Sequence, residues 1–211
     1  VLDIATGGGH TALKFDPFVK KVITTDIVLG MLKAARDFTA ESGANNVIFE
    51  YADAEQLPFG DSMFDLVTCR IAPHHFADIP LFVRESTRVL RPGGLLAVVD
   101  NVVPPGRAGA YVNAFEKLRD PSHGRCLSSD EWLVAFQGAG LRILHHETLK
   151  KTMDFNFWAK RHDETMQSYL LAMLSEASGE VTKFLQPQIS AEGTLFKLTE
   201  GVFVVEKPKS S

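Results

Sequence analysis

Cysteine is scarce: Cys69 and Cys126 stand alone in a chain of 211 residues. Two such isolated thiols rule out a disulfide scaffold and fit a reducing compartment, so a cytoplasmic protein is expected. Basic charge is also in short supply. The 22 Lys and Arg are outnumbered by 26 Asp and Glu, a formal net charge of −4. No basic stripe interleaved with aromatics occurs, so no nucleic acid partner is expected. No apolar run approaches the roughly 20 residues a membrane helix needs, so no integral membrane segment is expected either. Internal repeats are absent. What remains is an apolar content of 45%, enough for one domain, residues 1–211, with a sizeable core.

The most informative stretch is the first twelve residues, Val1-Leu2-Asp3-Ile4-Ala5-Thr6-Gly7-Gly8-Gly9-His10-Thr11-Ala12. An apolar strand carrying one carboxylate, Asp3, runs into a glycine turn and then a helix. Glycines there let backbone approach a ligand where a Cβ would collide, and leave amide N–H groups unshielded. Such a turn predicts a nucleotide-type cofactor. About 20 residues on, a second strand in this class should end in an acid that holds ribose hydroxyls. Lys21-Val22-Ile23-Thr24-Thr25-Asp26 does so. Asp26 could alternatively cap the next helix, and nicotinamide and adenosyl cofactors both satisfy the pattern.

Three later features separate those cofactors. Val47 to Asp53 is a third strand ending in an acid, followed by Ala54-Glu55-Gln56-Leu57-Pro58-Phe59. Phe64-Asp65-Leu66-Val67-Thr68-Cys69-Arg70 is a fourth strand, followed by His74-His75-Phe76. Val89-Leu90-Arg91-Pro92-Gly93-Gly94-Leu95-Leu96 closes a helix and enters a fifth. In this order and at these spacings the motifs resemble those of class I S-adenosylmethionine-dependent methyltransferases, closest to the ubiquinone/menaquinone-biosynthesis C-methyltransferase branch. The resemblance covers residues 1 to about 100.

That resemblance implies an α/β fold: a Rossmann-like seven-stranded sheet, mostly parallel with an antiparallel last strand, and helices on both faces. It implies S-adenosyl-L-methionine as cofactor. Asp3 would help hold its ammonium, with Ala5, Thr6, Gly7 and Gly9 packed against the methionine part. Asp26 would accept both ribose hydroxyls, and Asp53 the adenine amino group, while the amide of Ala54 donates to a ring nitrogen. Ile27 and Met31 would pack on ribose and purine, and Arg70 ends the fourth strand at the same edge. Met31 also falls on a stripe with Ala34, Ala35 and Phe38, so core packing is its other reading. Thr6 departs from the usual G-C-G-T-G run, but its hydroxyl keeps a hydrogen-bonding group there. Members of the family usually carry an N-terminal helical segment over the site, absent from this chain, which opens inside the first strand; it is expected to matter more for turnover than for folding.

Periodicity predicts helices over 10–15, 30–42, 79–90, 107–119, 129–139 and 154–176. Asp78 is expected to cap the third, and Ser128 with Glu131 to form a capping box. Strands are expected over 95–101, 141–149 and 202–207. The cofactor half is then 1–101, the substrate-side helices and loops 102–194, the closing strand 195–207, and a loose polar tail 208–211.

The substrate side is the chain's individual part. Arg119-Asp120-Pro121-Ser122-His123-Gly124-Arg125 is a polar cluster on a loop. His123, Arg119 and Arg125 are expected to face substrate, with Asn101 at the end of the fifth strand; a solvated turn is the plainer reading. Phe155 and Trp158 belong to an aromatic segment readable as an apolar lid or as core, and a lid would favour a small lipophilic or aromatic acceptor. Methyl transfer needs in-line alignment and exclusion of water, and a base only if the acceptor loses a proton. His123, His74 and His75 are the candidate catalytic residues. No metal is expected, because adjacent histidines tend to point apart and oxygen ligands are not evident. Two rivals stand: a nicotinamide oxidoreductase, disfavoured by Asp3, the Asp53-Ala54 pair and the lack of a Tyr-x-x-x-Lys pair, and a non-catalytic adenosyl-cofactor-binding protein.

Overall fold

In a computed structural model describing residues 1–209, the chain forms one mixed sheet covered by helices. The first five strands are parallel neighbours: β1 (Leu2–Ile4), β2 (Val22–Asp26), β3 (Val47–Tyr51), β4 (Phe64–Arg70) and β5 (Leu90–Val102). The order across the sheet is β3-β2-β1-β4-β5 and then β8-β6, where β6 is Arg142–Asp154 and β8 is Gly193–Glu206. β8 runs antiparallel to β5, from Leu95↔Glu206 to Val102↔Thr199, and β6 runs antiparallel to β8, from Arg142↔Glu206 to Asp154↔Leu195, so β6 again points along the first five strands. The crossing-over between β1 and β4 puts the topological switch point at their C-terminal ends, where doubly wound sheets bind ligands.

The fold expectation holds, with corrections at the C-terminal side. An eighth strand, β7 (Gln188–Ser190), pairs with the start of β8. β6 runs past the 141–149 expected, and β8 extends beyond 202–207 to nearly the whole of the expected closing segment 195–207. Gly201 lies inside β8 opposite Asp100, where a Cβ would meet the Phe203 ring at 2.6 Å and Val102 Cγ1 at 2.7 Å. Lys207, just ahead of the expected tail, is tied to the body of the fold: its Nζ donates to the carbonyls of Thr87 and Leu90 at 2.8 and 2.7 Å. The expected tail includes Ser210 and Ser211, which lie outside the described residues.

Helices α1 (His10–Phe15), α2 (Leu29–Glu41), α3 (Ile79–Val89), α4 (Gly106–Arg119) and α5 (Ser129–Gly138) agree with expectation to within a residue or so. Asp78 accepts from the Leu81 amide at 2.8 Å, and the Ser128–Glu131 capping box is formed. The helix expected over 154–176 is two: α6 (Phe155–Ala159) and α7 (Glu164–Ser175), each opened by its own capping aspartate, Asp154 and Asp163. A further helix, α8 (Glu180–Leu185), follows. Of the stripe through Met31 only Ala35 is buried, on a core face of α2 shared with Leu32 and Thr39, while Met31 is 48% exposed.

Apolar side chains form two clusters. One joins the central strands to α3 and α5 through Phe82, Leu96, Trp132, Phe136 and Phe203. The other joins α4 to α6, α7 and α8 through Phe115, Trp158, Leu170 and Phe196. Phe115 stacks on Trp158 with ring centroids 4.7 Å apart. Phe155 is buried in this second cluster, so the lid reading gives way to core packing for it. Among the described residues, no helix is long and apolar enough to cross a membrane.

Candidate active site

Two cavities lie side by side along the C-terminal strand ends. The first, about 260 Å³, is lined by Ala5, Asp26, Ile27, Asp53, Ala54 and Phe76, among others. Ala5 leaves β1 with φ at +52°, a conformation costly for a residue with a Cβ and common where function stores strain. Gly7 turns next to it at φ +53°, and a Cβ there would meet nothing within 4 Å. Gly9 serves a different end: its Cβ would press on Ala35 and Thr39 at 3.2 Å, so it lets α1 and α2 pack closely.

The three acids occupy distinct environments. Asp3 is 1% exposed, and accepts from Thr6 Oγ1 at 2.6 Å and Thr68 Oγ1 at 2.8 Å. Burial raises its pKa to about 6 against the pull of those hydroxyls. Asp26 accepts from the Gly7 amide at 3.0 Å and the Val28 amide at 2.9 Å. One carboxylate thus ties the glycine turn to the entrance of α2 and keeps a second lone pair on each oxygen for a ligand. Asp53 is exposed and accepts from the Glu55 amide at 2.9 Å. Glu55 in turn accepts from the amides of Ala77 and Asp78 at 2.7 and 3.0 Å, fixing the opposite wall. Met31 and Ile27 are exposed, Ile27 against this cavity. Arg70 is exposed at the end of β4, and its charge opposes the rise of Asp3.

The second cavity, about 230 Å³, is lined by His74, His75, Asn101, Glu116, Arg119 and His123, with Trp158 and residues of β6 and β8. Ile71, on the bend after β4, also lines it with φ at +51°, a strained conformation for a β-branched side chain. His74 Nδ1 sits 2.5 Å from Oδ1 of Asp100, which is fully buried in β5. Burial alone would lower the His74 pKa, but the hydrogen bond and charge of Asp100 outweigh it and hold the imidazole above its ordinary value. Glu116 projects from α4, is 7% exposed, and is pushed up to about 7 by burial, against the pull of His74 and Arg119. Its Oε1 and the Oδ2 of Asp100 are buried without a hydrogen-bond partner.

His123 lines this cavity as well. It is buried, at 1% exposure, and not on a solvated turn. Its Nε2 lies 2.9 Å from Asn113 Oδ1. That oxygen also accepts from the Cys126 amide, while Asn113 Nδ2 donates to the Cys126 carbonyl. The backbone thereby fixes the amide's orientation, and His123 must donate from Nε2. Burial, then the charges of His74, His75 and Lys117, lower its pKa to about 4. Arg125 turns away to pair with Glu131 and lines a separate cleft. Arg119 lies over the Trp158 ring, 5.3 Å from its centroid.

The loop carrying His123 is pinned to the histidine pair. The amides of Gly124 and Arg125 donate to the His74 carbonyl at 2.8 and 3.0 Å, and a Cβ on Gly124 would stand 3.0 Å from that same oxygen. His75 Nδ1 is 3.0 Å from the Ser122 carbonyl. Asp100 and Glu116 were missing from the sequence-level candidates. Their signal was the one that exposed Asp3: an acid on the buried face of an apolar element. Among the described residues, no group of three or more His, Cys, Asp or Glu could hold a metal ion.

Residues 2–98 match the family model described as a methyltransferase domain. The chain is 38% identical over 183 residues to the uncharacterized methyltransferase YcgJ of Bacillus subtilis strain 168, covering 85% of this chain and 72% of that one. It is 32% identical over 179 residues to the ubiquinone/menaquinone biosynthesis C-methyltransferase UbiE of Saccharophagus degradans, covering 82% and 72%. The crystal structure of YcgJ from Bacillus subtilis superposes with a TM-score of 0.94 at 34% identity, over 99% of this chain and 92% of that one.

Proposed function

The chain belongs to the S-adenosylmethionine-dependent methyltransferase family, and from that premise we propose that it methylates a small-molecule acceptor held between His74, Glu116 and Trp158. The observation that carries this reading is the position of His75. This residue lines both cavities, so a ligand in the Asp26–Asp53 cavity and an acceptor in the His74–Glu116 cavity would meet at one boundary.

The residues of the first cavity fit the cofactor. Asp26 has lone pairs for two ribose hydroxyls, Asp53 would accept from the adenine amino group, and Asp3, buried in β1 behind the cavity lining, would ionise to face the ammonium. When bound, S-adenosylmethionine supplies a methyl group already activated by its sulfonium. The chain's task is then to hold the acceptor in line and exclude water. The acceptor cavity is smaller than the roughly 300–1,000 Å³ of drug-sized ligand sites. Its charged groups, Glu116, Arg119, Asp120, Lys151 and Glu200, sit beside Ile71, Met153 and Leu198. A ring-sized acceptor with polar substituents suits this lining better than a purely lipophilic one.

A crystal grown with S-adenosylhomocysteine tests the arrangement. Adenine against Asp53 and Ala54, ribose on Asp26 and sulfur beside His75 is the expected pose. A ligand seated in any other cleft contradicts it.

A further inference from the structure

Resting on that reading, we infer that the acceptor is a phenol or enol carrying a second hydrogen-bonding group, and that His74, held by Asp100, takes its O–H proton while Glu116 holds the second group. Three observations support it. The 2.5 Å contact between His74 Nδ1 and Asp100 Oδ1 spends that ring nitrogen on a buried carboxylate, which fixes the proton on Nδ1 and leaves the lone pair on Nε2. His74 itself is 6% exposed and lines the acceptor cavity. Glu116, more than nine-tenths buried, lines the same cavity with an unpartnered Oε1. A buried polar atom without a partner is costly, and a ligand hydroxyl relieves that cost.

The step balances without another reagent. The acceptor oxygen gives its proton to His74 Nε2 and forms the new O–CH₃ bond as the S–CH₃ bond breaks. The electron pair of the broken bond stays on sulfur. The positive charge lost at sulfur reappears on the imidazolium, 2.5 Å from the Asp100 carboxylate. Phenols and enols suit such a base because removing the proton multiplies the nucleophilicity of the oxygen. An amine attacks through its own lone pair and gains nothing from deprotonation beforehand.

Every ionisable group around His74 bears on the pH response. Asp100 faces it from β5, Glu116 from α4, and His123 and Asp120 from the following loop, with His75 beside it at 4.2 Å between ring centroids, while Arg119 of α4, Lys151 of β6 and Glu200 of β8 line the same cavity. The acids win, so the neutral form needed for proton uptake is reached only above the ordinary histidine value of about 6.5.

The test uses the full chain, S-adenosylmethionine, and catechol with a series of phenols graded in O–H acidity. Wild-type kcat should rise with pH on a limb centred above about 6.5, and Asp100→Asn should move that limb downward. Asp100→Asn should cost about 10²–10³-fold in kcat on weakly acidic phenols and under about tenfold on nitrophenols ionised before binding, with cofactor affinity within a few-fold. A second readout needs no turnover: nitrogen NMR of the cofactor-free protein should show His74 protonated on Nδ1, and catechol should shift its Nε2. A loss uniform across the series, an acid limb that Asp100→Asn leaves in place, or a His74 protonated on Nε2 overturns the inference. Cofactor binding without methylation of any phenol overturns the acceptor class and leaves the methyltransferase reading standing. Failure to bind cofactor removes both.

Discussion

Thr6 Oγ1 donates to Asp3 Oδ2 at 2.6 Å, so the residue that departs from the family's usual glycine-turn sequence braces the first strand's carboxylate. Asp3 is nevertheless held near pKa 6 by burial. Its folded-state value lies above the unfolded 3.8. The stability it contributes is therefore complete below about pH 4 and lost as pH rises through about 6. The shift of about 2 units corresponds to at most about 3 kcal/mol. Asp3→Asn should raise the melting temperature at neutral pH, by an increment that vanishes towards pH 4, while weakening S-adenosylmethionine binding more than tenfold. Melting curves across that range, paired with calorimetry, check both halves. The same ionisation predicts that wild-type affinity falls as pH drops below about 6.

Asp26 carries a double load. Asp26→Ala removes the acceptor for ribose hydroxyls and releases the amides of Gly7 and Val28. Cofactor affinity should fall by about 1.5–3 kcal/mol, and the unfolding midpoint in urea should fall as well. Unchanged affinity would assign the residue to the glycine turn alone.

His123 should behave as a wall and a brace, not as the base. With its pKa near 4 it is neutral throughout the working range and a weak proton acceptor. His123→Ala should destabilise the fold by about 1–3 kcal/mol, because a buried donor–acceptor pair with Asn113 is lost. Its kcat should fall much less than that of His74→Gln, with the acid limb of the pH profile unmoved. Activity of the two variants measured side by side checks this.

The cofactor half was legible because its signals are backbone signals. A glycine turn after β1 and acids closing β1, β2 and β3 need their residue types at those positions whatever packs around them. Gly9 was legible as a glycine, but its reason, the 3.2 Å approach to Ala35 and Thr39, depends on another helix. The acceptor side hid for tertiary reasons. Asp100 sits within the apolar run of β5 and acquires meaning only when His74 arrives from the loop after β4. Glu116 lies on the face of α4 that also buries Val112 and Phe115, where periodicity alone expects an apolar residue. The length of β6 was obscured because most of its residues are exposed on this edge strand, so no alternation marks it. The break between α6 and α7 was signalled by Asp163, whose carboxylate accepts from the Met166 amide at 2.8 Å.

The central claim is that the acids at the ends of β1, β2 and β3 build a site for an adenosyl cofactor carrying an ammonium group. Titration calorimetry of the protein with S-adenosylmethionine and with NADH tests it most directly. Micromolar binding of S-adenosylmethionine, about −8 kcal/mol, with no heat from NADH is the predicted result; tight NADH binding with no adenosyl binding would contradict it.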